Sequence, residues 1–321
     1  MNNRDRNTHV WLAILAVVFI LAAGGFLAPD LSAREEGPKI LTLEDYPRWS
    51  RITSPGIAPN GKWATYGYLP NDGDNTLFIK SLTTDTVYEI VGGSRPTFSD
   101  DSRWAAYRIE PLKEEKEKLQ KAKKPVTYKA ELLDLGSGAK YTVESAESFM
   151  FSKGSYYLAI KKRKSDAQAK HGGSDLILHS LKDGPTLNLG NVSQFAFNKP
   201  GTHLAYCVDA DGKAGNGLYL LTLSTGSMRP LDTGENDYSR LTWDKEGTAV
   251  AALRGTEEED KLQKTNVLLT FTGIDQNRIA ASAYDPKNDP AFPKDMVISQ
   301  FGALSWNRDA TLVALGLSLI H

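Results

Sequence analysis

The chain has 321 residues, and its 38 basic and 39 acidic side chains give a formal net charge of −1. This balance lacks the basic excess of nucleic-acid-binding proteins, so we expect no nucleic-acid partner. Hydrophobic residues make up 40% of the chain, which suffices for a sizeable core, and the single cysteine, Cys207, excludes an intramolecular disulfide.

Residues 1–33 have the pattern of a targeting segment. Arg4 and Arg6 precede an unbroken apolar run over residues 10–27, and Ala28–Ala33 supplies small residues for cleavage. This order is typical of a secretory signal peptide, although the run also reaches the length of a membrane-spanning helix. We expect a cleaved signal peptide, with an uncleaved membrane anchor as the alternative. Either predicts a secreted or periplasmic protein, in which residues 34–50 lead into the main domain.

A ten-residue phrase recurs through residues 51–321. Its copies start at Ile57, Phe98, Phe151, Phe197, Trp243 and Trp306, which are 41, 53, 46, 46 and 63 residues apart. Position 1 is bulky and apolar, position 2 is small or turn-forming, position 5 is small, and position 9 is Ala in every copy except the first, which has Thr65. The polar middle favours a tight turn and the apolar end favours a buried strand. Each phrase therefore predicts a turn that leads into an inner strand.

A second apolar element follows most copies, and a hairpin turn and a short strand follow most of these elements. The second elements are Leu77–Leu82, Glu131–Leu135, Leu176–Leu181, Leu218–Leu223 and Val267–Phe271. A period of roughly 40–50 residues with four strands per unit is the pattern of a β-propeller. We predict an all-β fold of four-stranded antiparallel blades, about five complete and a partial sixth.

Polar insertions interrupt the repeat at Glu110–Pro125, Lys161–Gly173 and Thr256–Lys264, and we expect the first and third to be exposed. The charge run Lys113–Lys124 favours a solvated helix, with a docking arm or a lid as the alternative. The repeat also predicts four largely buried aromatic residues: Trp63, Trp104, Phe197 and Trp243.

Motifs of catalysis and ligand binding are missing from the sequence. It contains no Gly-x-Ser-x-Gly nucleophile elbow, His-Glu-x-x-His motif, P-loop or Rossmann fingerprint. Asp209–Gly212 resembles the start of a calcium loop, but Leu220 stands where an EF-hand needs an acidic ligand, and we interpret it and Asn71–Asn75 as hairpin loops. We therefore predict no catalytic, metal or cofactor-binding residue, and a buried, unreactive Cys207.

Three passages resemble the propeller of prolyl-oligopeptidase-type serine peptidases, the S9 family, whose repeats are related to TolB-type propellers. They are Leu41–Tyr46 with Arg48 and Trp49, the phrase Ile57–Trp63, and the Lys/Glu-rich insertion after the second phrase. In that family a serine-histidine-aspartate triad lies in an α/β-hydrolase domain C-terminal to the propeller. No position here matches those motifs, so the resemblance implies a catalytically incomplete chain. The short sequence after the sixth phrase also predicts a truncated propeller.

Two functions remain open from the sequence. The first is the substrate-gating propeller of a secreted serine peptidase, which channels peptides to a hydrolase domain and is inactive by itself. The alternative is a stand-alone periplasmic propeller that binds a protein partner, as TolB-like propellers do. A propeller lyase or glycosidase is a less favoured third reading. Membrane contact is expected only through residues 10–27, if they are not cleaved.

Overall fold

The computed structural model describes residues 42–319, apart from residues 167–168, 183–184, 260, 262 and 277. The predicted signal or anchor helix in residues 1–33 lies outside the described residues, so it stays a prediction. Residues 34–41 of the segment that leads into the main domain also lie outside them. No described helix is both long enough and apolar enough to cross a bilayer. The chain divides into two units, Met1–Asp45 and Tyr46–His321, and a 3-10 helix occupies Leu43–Arg48.

The second unit consists of antiparallel strands that pair in sequence order, as the repeat predicts. Blade 1 contains β1 (Ser50–Ile57), β2 (Trp63–Pro70), β3 (Thr76–Ser81) and β4 (Val87–Val91). Blade 2 contains β5 (Gly93–Phe98), β6 (Trp104–Ile109), β7 (Tyr128–Asp134) and the first part of β8 (Lys140–Phe151). Blade 3 contains the rest of β8, β9 (Tyr157–Lys162), β10 (Ser174–Ser180) and the first part of β11 (Leu187–Phe197).

The later blades follow the same order. Blade 4 contains the rest of β11, β12 (His203–Val208), β13 (Gly217–Thr222) and β14 (Ser227–Thr233). Blade 5 contains β15 (Asp237–Trp243), β16 (Val250–Thr256), β17 (Thr265–Thr272) and β18 (Ala280–Tyr284). Blade 6 is one irregular hairpin, in which β19 (Met296–Ile298) pairs with β22 (Leu317–Leu319) and β20 (Ser305–Trp306) pairs with β21 (Val313–Ala314).

Two long strands each serve two blades. The first part of β8 pairs with β7, and its second part, from Ala146 onward, pairs with β9. The strand β11 changes partner from β10 to β12 in the same way at Val192. Blades 2, 3 and 4 are therefore hydrogen-bonded into one ten-stranded sheet, whereas blades 1 and 5 are separate four-stranded sheets.

Each phrase forms the first hairpin of a blade, and its fifth position has a left-handed backbone. The φ angles there are 70° at Gly61, 57° at Ser102, 57° at Ser155, 71° at Gly201, 78° at Gly247 and 51° at Ala310. Glycine adopts this conformation without steric cost, while other residues adopt it with strain. The backbone of the turn thus explains why position 5 is small in all six copies.

The second position of the phrase closes the turn with its side chain. Asn198 Oδ1 accepts hydrogen bonds from the N–H groups of Thr202 and His203, both at 2.9 Å. Asp244 Oδ1 does the same for Thr248 and Ala249. Such side-chain acceptors satisfy backbone donors that the turn leaves unpaired. Copies two, three and six use Ser99, Ser152 and Asn307 in this role.

Five apolar cores form between consecutive blades. Each contains position 8 of one phrase, such as Leu158, Leu204 or Val250, together with residues of the preceding blade. Position 9 faces the following blade, where Ala106 and Ala205 lie in the cores shared with blades 3 and 5. We call the side of a blade that packs on the preceding blade its position-eight face, and the side that packs on the following blade its position-nine face. Small residues at position 9 let adjacent sheets approach closely, as the sequence predicts.

The four aromatic residues that the sequence predicts to be largely buried all pack against interblade cores. Trp63, Trp104, Phe197 and Trp243 are all only partly buried, because they pack at the margins of the interblade cores. The predicted exposure of the insertions agrees with the structure for most described residues of Glu110–Pro125 and Thr256–Lys264. Within the charge run, helix α1 spans Lys113–Lys121 and contains no buried residue.

Candidate functional site

The two ends of the blades are built differently. The turns between first and second strands and between third and fourth strands lie at one end, the turn face. The loops between second and third strands and the connections between blades lie at the opposite end, the loop face. All three polar insertions belong to this second group, because they separate β6 from β7, β9 from β10, and β16 from β17. The loop face therefore carries the variable segments, which is where binding sites usually lie.

Stacking of successive turns makes the turn face compact. Ser102 Oγ accepts a hydrogen bond from the N–H of Asn60 in the preceding turn, and Ser155 Oγ accepts one from Asp101, both at 3.0 Å. Ion pairs join the same series of turns: Lys153 with Asp100 at 3.1 Å, and Lys199 with Glu246 at 2.7 Å. These turns engage one another, so the loop face is the better candidate for recognition.

A cleft of about 520 Å³ opens on the loop face beside blade 5. We call it the blade-five cleft. Its apolar wall includes Val267, Phe292 and Met296. Its polar wall combines cationic and acidic side chains: Arg254, Lys261, Lys287, Asp285 and Asp289. This volume falls in the range of small-molecule and peptide sites, which combine apolar walls with a few placed polar groups.

Glu258 holds the rim of the cleft together. Its carboxylate contacts the ammonium groups of Lys261 and of Lys287, the latter at 2.9 Å, and accepts a hydrogen bond from the Thr265 hydroxyl at 2.9 Å. The hydrogen bond from Lys261, followed by those from Lys287 and Thr265, lowers the pKa of Glu258 to about 2. The rim thus joins the insertion after β16 to the connection after β18 by ion pairs.

Behind this rim, hydrogen bonds among Arg254, Asp232 and Tyr238 hold the polar wall in place. Arg254 Nη1 lies 3.2 Å from Asp232 Oδ2, and that oxygen accepts a hydrogen bond from the Tyr238 hydroxyl at 2.7 Å. Burial, with the hydrogen bond to Asp232, raises the pKa of the Tyr238 hydroxyl, so it stays a donor at neutral pH. Arg254 is therefore held in place before any ligand arrives.

Asparagine side chains, of which Asn216 and Asn266 are buried, link neighbouring blades at the loop face. Asn266 Nδ2 donates to the carbonyl oxygen of Ile298 at 2.7 Å. Asn75 donates to Gly93 at 2.5 Å and Asn216 donates to Asn236 at 3.1 Å in the equivalent places. Each of these hydrogen bonds links the start of a third strand with the connection to the next blade. The bond from Asn266 therefore fixes the wall of the blade-five cleft to the start of blade 6.

A second hollow of about 440 Å³ lies next to the blade-five cleft, among the first strands of the blades. Arg240 Nε donates to the carbonyl oxygen of Gln300 at 2.6 Å, and Lys264 pairs with Asp237 and, at 3.3 Å, with Glu257. Arg240 has φ of 57° at a bulge where β15 shifts register against β16. The bulge turns this side chain toward blade 6.

The side chains of His179, His203 and Asp209 do not converge on one site. His179 Nδ1 lies 3.1 Å from Thr186 Oγ1, and His203 Nδ1 lies 2.9 Å from Thr202 Oγ1. Burial lowers the pKa of both imidazoles. Asp209 Oδ1 accepts a hydrogen bond from Asn216 at 3.2 Å. Among the residues that the structure describes, no three His, Cys, Asp or Glu side chains are grouped to hold a metal ion.

The sequence does not predict the residues of the blade-five cleft. The sequence predicts Thr256–Lys264 as a loop insertion, but it does not predict that residues 285–296 lie opposite this loop. Phe292 and Lys287 follow a strand rather than a phrase, so the repeat does not mark them. The only local signal is Pro286 and Pro293, which indicate a structured connection rather than a flexible one.

Comparisons with known proteins give structural matches only. No family model matches the chain, and no curated protein matches it. Similar solved structures include TolB from Acinetobacter baumannii, with TM-score 0.34, 13% identity and 73% of this chain covered. They include the β-propeller domain of the Trilobed protease from Pyrococcus furiosus, with TM-score 0.41, 12% identity, and coverage of 84% of this chain and 79% of that one. A structure of prolyl endopeptidases gives TM-score 0.43 at 11% identity, with 84% of this chain covered.

The chain spans 54% of the TolB chain and 39% of the prolyl endopeptidase chain. The assignment of blades rests on the strand pairing described above.

Proposed function

We propose that this chain is the propeller portion of a secreted S9-type serine peptidase, which admits short peptides and is inactive by itself. The observation that carries the proposal is the braced blade-five cleft on the face where all the insertions lie. The resemblance of Leu41–Tyr46 and Ile57–Trp63 to that family supplies the type of enzyme. The N-terminal apolar run supports export to the periplasm or beyond.

An extended peptide suits the cleft chemically. An apolar side chain can pack against Phe292 and Met296, while Arg254 and Lys287, which are paired with Asp232 and Glu258, can each donate a further hydrogen bond to a peptide carbonyl. Hydrolysis needs a nucleophile, a base and an oxyanion hole, and the sequence contains no nucleophile elbow. The chain is therefore expected to bind peptides and leave them intact.

Peptide binding by the purified chain tests the proposal. Fluorescence anisotropy with a labelled proline- and alanine-containing peptide is expected to show saturable binding, weakened about tenfold by Phe292→Ala or Lys287→Ala. Lys245→Ala is the matched control, because Lys245 is exposed in a turn on the opposite face. Thermal unfolding verifies that each variant is folded.

Two results would refute the proposal. Turnover of the peptide by the chain, or its labelling by a serine-directed fluorophosphonate, contradicts catalytic incompleteness. Absence of saturable peptide binding contradicts peptide gating.

A protein-binding scaffold is the second candidate, and the exposed helix α1 favours it. Its sequence Lys-Glu-Glu-Lys-Glu-Lys-Leu-Gln-Lys contains no buried residue, and although Lys113 and Lys116 pair with Asp72 and Glu110, Lys118 and Lys121 are exposed and can meet a partner. Charge reversal of Lys118 and Lys121 separates the candidates. A scaffold loses its partner on this change, whereas peptide binding at the blade-five cleft stays unchanged.

A further inference from the structure

Two of the loop-face insertions, in blades 2 and 3, carry a strong local charge. Residues 118–127 contain four lysines and no acidic residue, and residues 161–173 contain five basic residues and one acidic residue. The whole chain has a formal net charge of −1, so this concentration of basic residues is local. Cations grouped on one face create a field that attracts negative charge.

The fold brings these two basic segments together. Arg163 Nη1 donates a hydrogen bond to the carbonyl oxygen of Val126 at 2.9 Å. Pro125 and Thr127 from the first segment and Lys162 from the second line one hollow of about 450 Å³. The two segments therefore form one surface, which we call the cationic surface. It comprises Lys118, Lys121, Lys123, Lys124, Lys162 and Arg163.

Most of these cations have no acidic partner within the described part of the chain. The neighbouring Lys161 pairs with Glu147 at 2.7 Å. Lys118 meets Glu114 only at 4.0 Å, and both side chains are exposed, so this pair contributes little. The members of the cationic surface that form no ion pair with a described residue are Lys121, Lys123, Lys124, Lys162 and Arg163. They are therefore available to an external anion.

The distribution of charge indicates how long the anion must be. Asp166 and Asp175 line the hollow together with Lys162, Arg163 and Lys164, so the lining itself is close to balanced. The positive excess comes from the lysines of residues 118–124, outside the hollow. The surface therefore suits a chain of negative charges that reaches from the hollow to these lysines, and not a single small ion.

The shape of the surface favours a polypeptide over a lipid bilayer. Lys162 is partly buried in the wall of the hollow, where an acidic side chain can enter and a flat bilayer cannot. The larger apolar residues of this region, Leu119 and Val126, are partly buried as well. Helices that bind bilayer interfaces combine a basic face with exposed Trp, Phe or Leu side chains, which this surface lacks among its described residues.

We propose that the cationic surface binds an acidic segment of a partner protein, with one carboxylate in the hollow near Lys162 and others at the lysines outside it. Among the described residues, only the carbonyl of Val126 engages the guanidinium of Arg163, so its remaining N–H groups can donate to a carboxylate. This binding does not involve the blade-five cleft and does not depend on peptide gating. It gives the scaffold alternative a chemical class of partner.

Titration of the purified chain against a labelled oligoglutamate peptide tests the proposal. We expect saturable binding at low ionic strength that weakens as salt is added, because exposed charges are screened. An oligoglutamine peptide of the same length is expected not to bind. The double variant Lys121→Glu with Lys124→Glu should weaken oligoglutamate binding about tenfold or more, and Lys162→Met should weaken it by removing the ammonium in the hollow. Lys62→Glu with Lys245→Glu is the matched control, because it changes the net charge equally at exposed turns on the opposite face.

Several outcomes would overturn the proposal. One is no binding of oligoglutamate by the unaltered chain, and another is an equal loss in the matched control, which means that net charge alone attracts the peptide. Weakening by Lys287→Ala would place the acidic peptide in the blade-five cleft instead. Binding of phosphatidylglycerol vesicles without binding of oligoglutamate would identify a lipid surface. Thermal unfolding verifies that each variant is folded.

The two proposals can fail separately. Binding of the proline- and alanine-containing peptide reports on the blade-five cleft, and Lys121→Glu with Lys124→Glu is expected to leave it unchanged. Failure of that peptide to bind contradicts peptide gating without affecting the cationic surface.

Discussion

The indole N–H of Trp243 donates a hydrogen bond at 3.0 Å to the carbonyl oxygen of Ala196, which lies one residue before the start of the preceding phrase. Trp306 repeats the contact one blade later, with the carbonyl of Thr242 at 3.3 Å. In the fifth and sixth copies the first residue of the phrase therefore does two things. Its ring packs on the preceding blade, and its polar edge fixes the offset between consecutive first strands.

Replacement of Trp243 by Phe separates these two contributions. Trp243→Phe keeps most of the packing and loses the hydrogen bond, so we expect a loss of about 1 kcal/mol in the free energy of unfolding. Trp243→Ala also empties the margin of the core, and we expect a loss of about 3–5 kcal/mol. Urea unfolding measures both. Trp49→Phe is the control, because Trp49 is 49% exposed, and its change should be close to zero.

Gly61 and Gly201 occupy the same position of the phrase and have φ of 70° and 71°, but their surroundings differ. A Cβ at Gly61 meets nothing within 4 Å, whereas one at Gly201 would lie 2.3 Å from the carbonyl oxygen of Lys153. Gly61→Ala is therefore expected to cost only backbone strain, about 1–2 kcal/mol. Gly201→Ala adds a clash with the backbone of the neighbouring turn and should cost about 1–3 kcal/mol more. Equal losses in urea unfolding would show that the turns do not stack as described.

The repeat predicts the blades well because it records backbone requirements. All six phrase starts coincide with the last residue of a strand, and the predicted second elements begin within three residues and end within one residue of the observed third strands. Position 5 is constrained by a left-handed turn and position 9 by the spacing between sheets, and both constraints are local enough to appear in the sequence. The continuity of β8 and β11 across two blades is not predicted, because it depends on how the outer strand of one blade meets the next.

The candidate site is poorly predicted for a related reason. Glu258, Lys261 and Lys287 meet through two connections whose sequences carry no period. The partial exposure of Tyr66 is also hidden in the sequence, because this residue follows the same pattern as the buried Tyr107 and Tyr206.

Acid sensitivity should depend on Glu131, which is buried between blades 1 and 2. Burial raises the pKa of this carboxyl, but hydrogen bonds from Tyr107, Lys140 and Thr142 outweigh it, and the net pKa is lowered from 4.5. A lowered pKa in the folded state means that the ionised group stabilises the fold above the unfolded-state pKa. That stabilisation is lost as pH falls through the folded-state pKa.

Glu131→Gln removes the ionisable carboxyl group and with it this pH-dependent stabilisation. We expect the variant to be less stable than the unaltered chain at neutral pH, with the difference narrowing as pH falls below about 4.5. Urea unfolding at a series of pH values measures the free energy of unfolding of both chains. Subtracting one from the other cancels the contributions of the acidic groups that the two chains share. A difference that stays constant with pH would show that the charge of Glu131 does not stabilise the fold.

Cys207 offers a probe of how the interblade cores open. It is fully buried in the core between blades 4 and 5, and burial raises the pKa of its thiol to about 12. Thiolate is the reactive form, so the folded chain should resist thiol reagents at neutral pH. We expect labelling by a disulfide reagent to be slow and to follow the population of opened molecules, rising with urea below the global transition.

Leu220→Ala weakens the same core and should accelerate labelling, whereas Leu77→Ala, in the core between blades 1 and 2, should accelerate it less. Equal acceleration by the two changes would show that the blades open together, and rapid labelling of the unaltered chain would contradict the burial of this thiol.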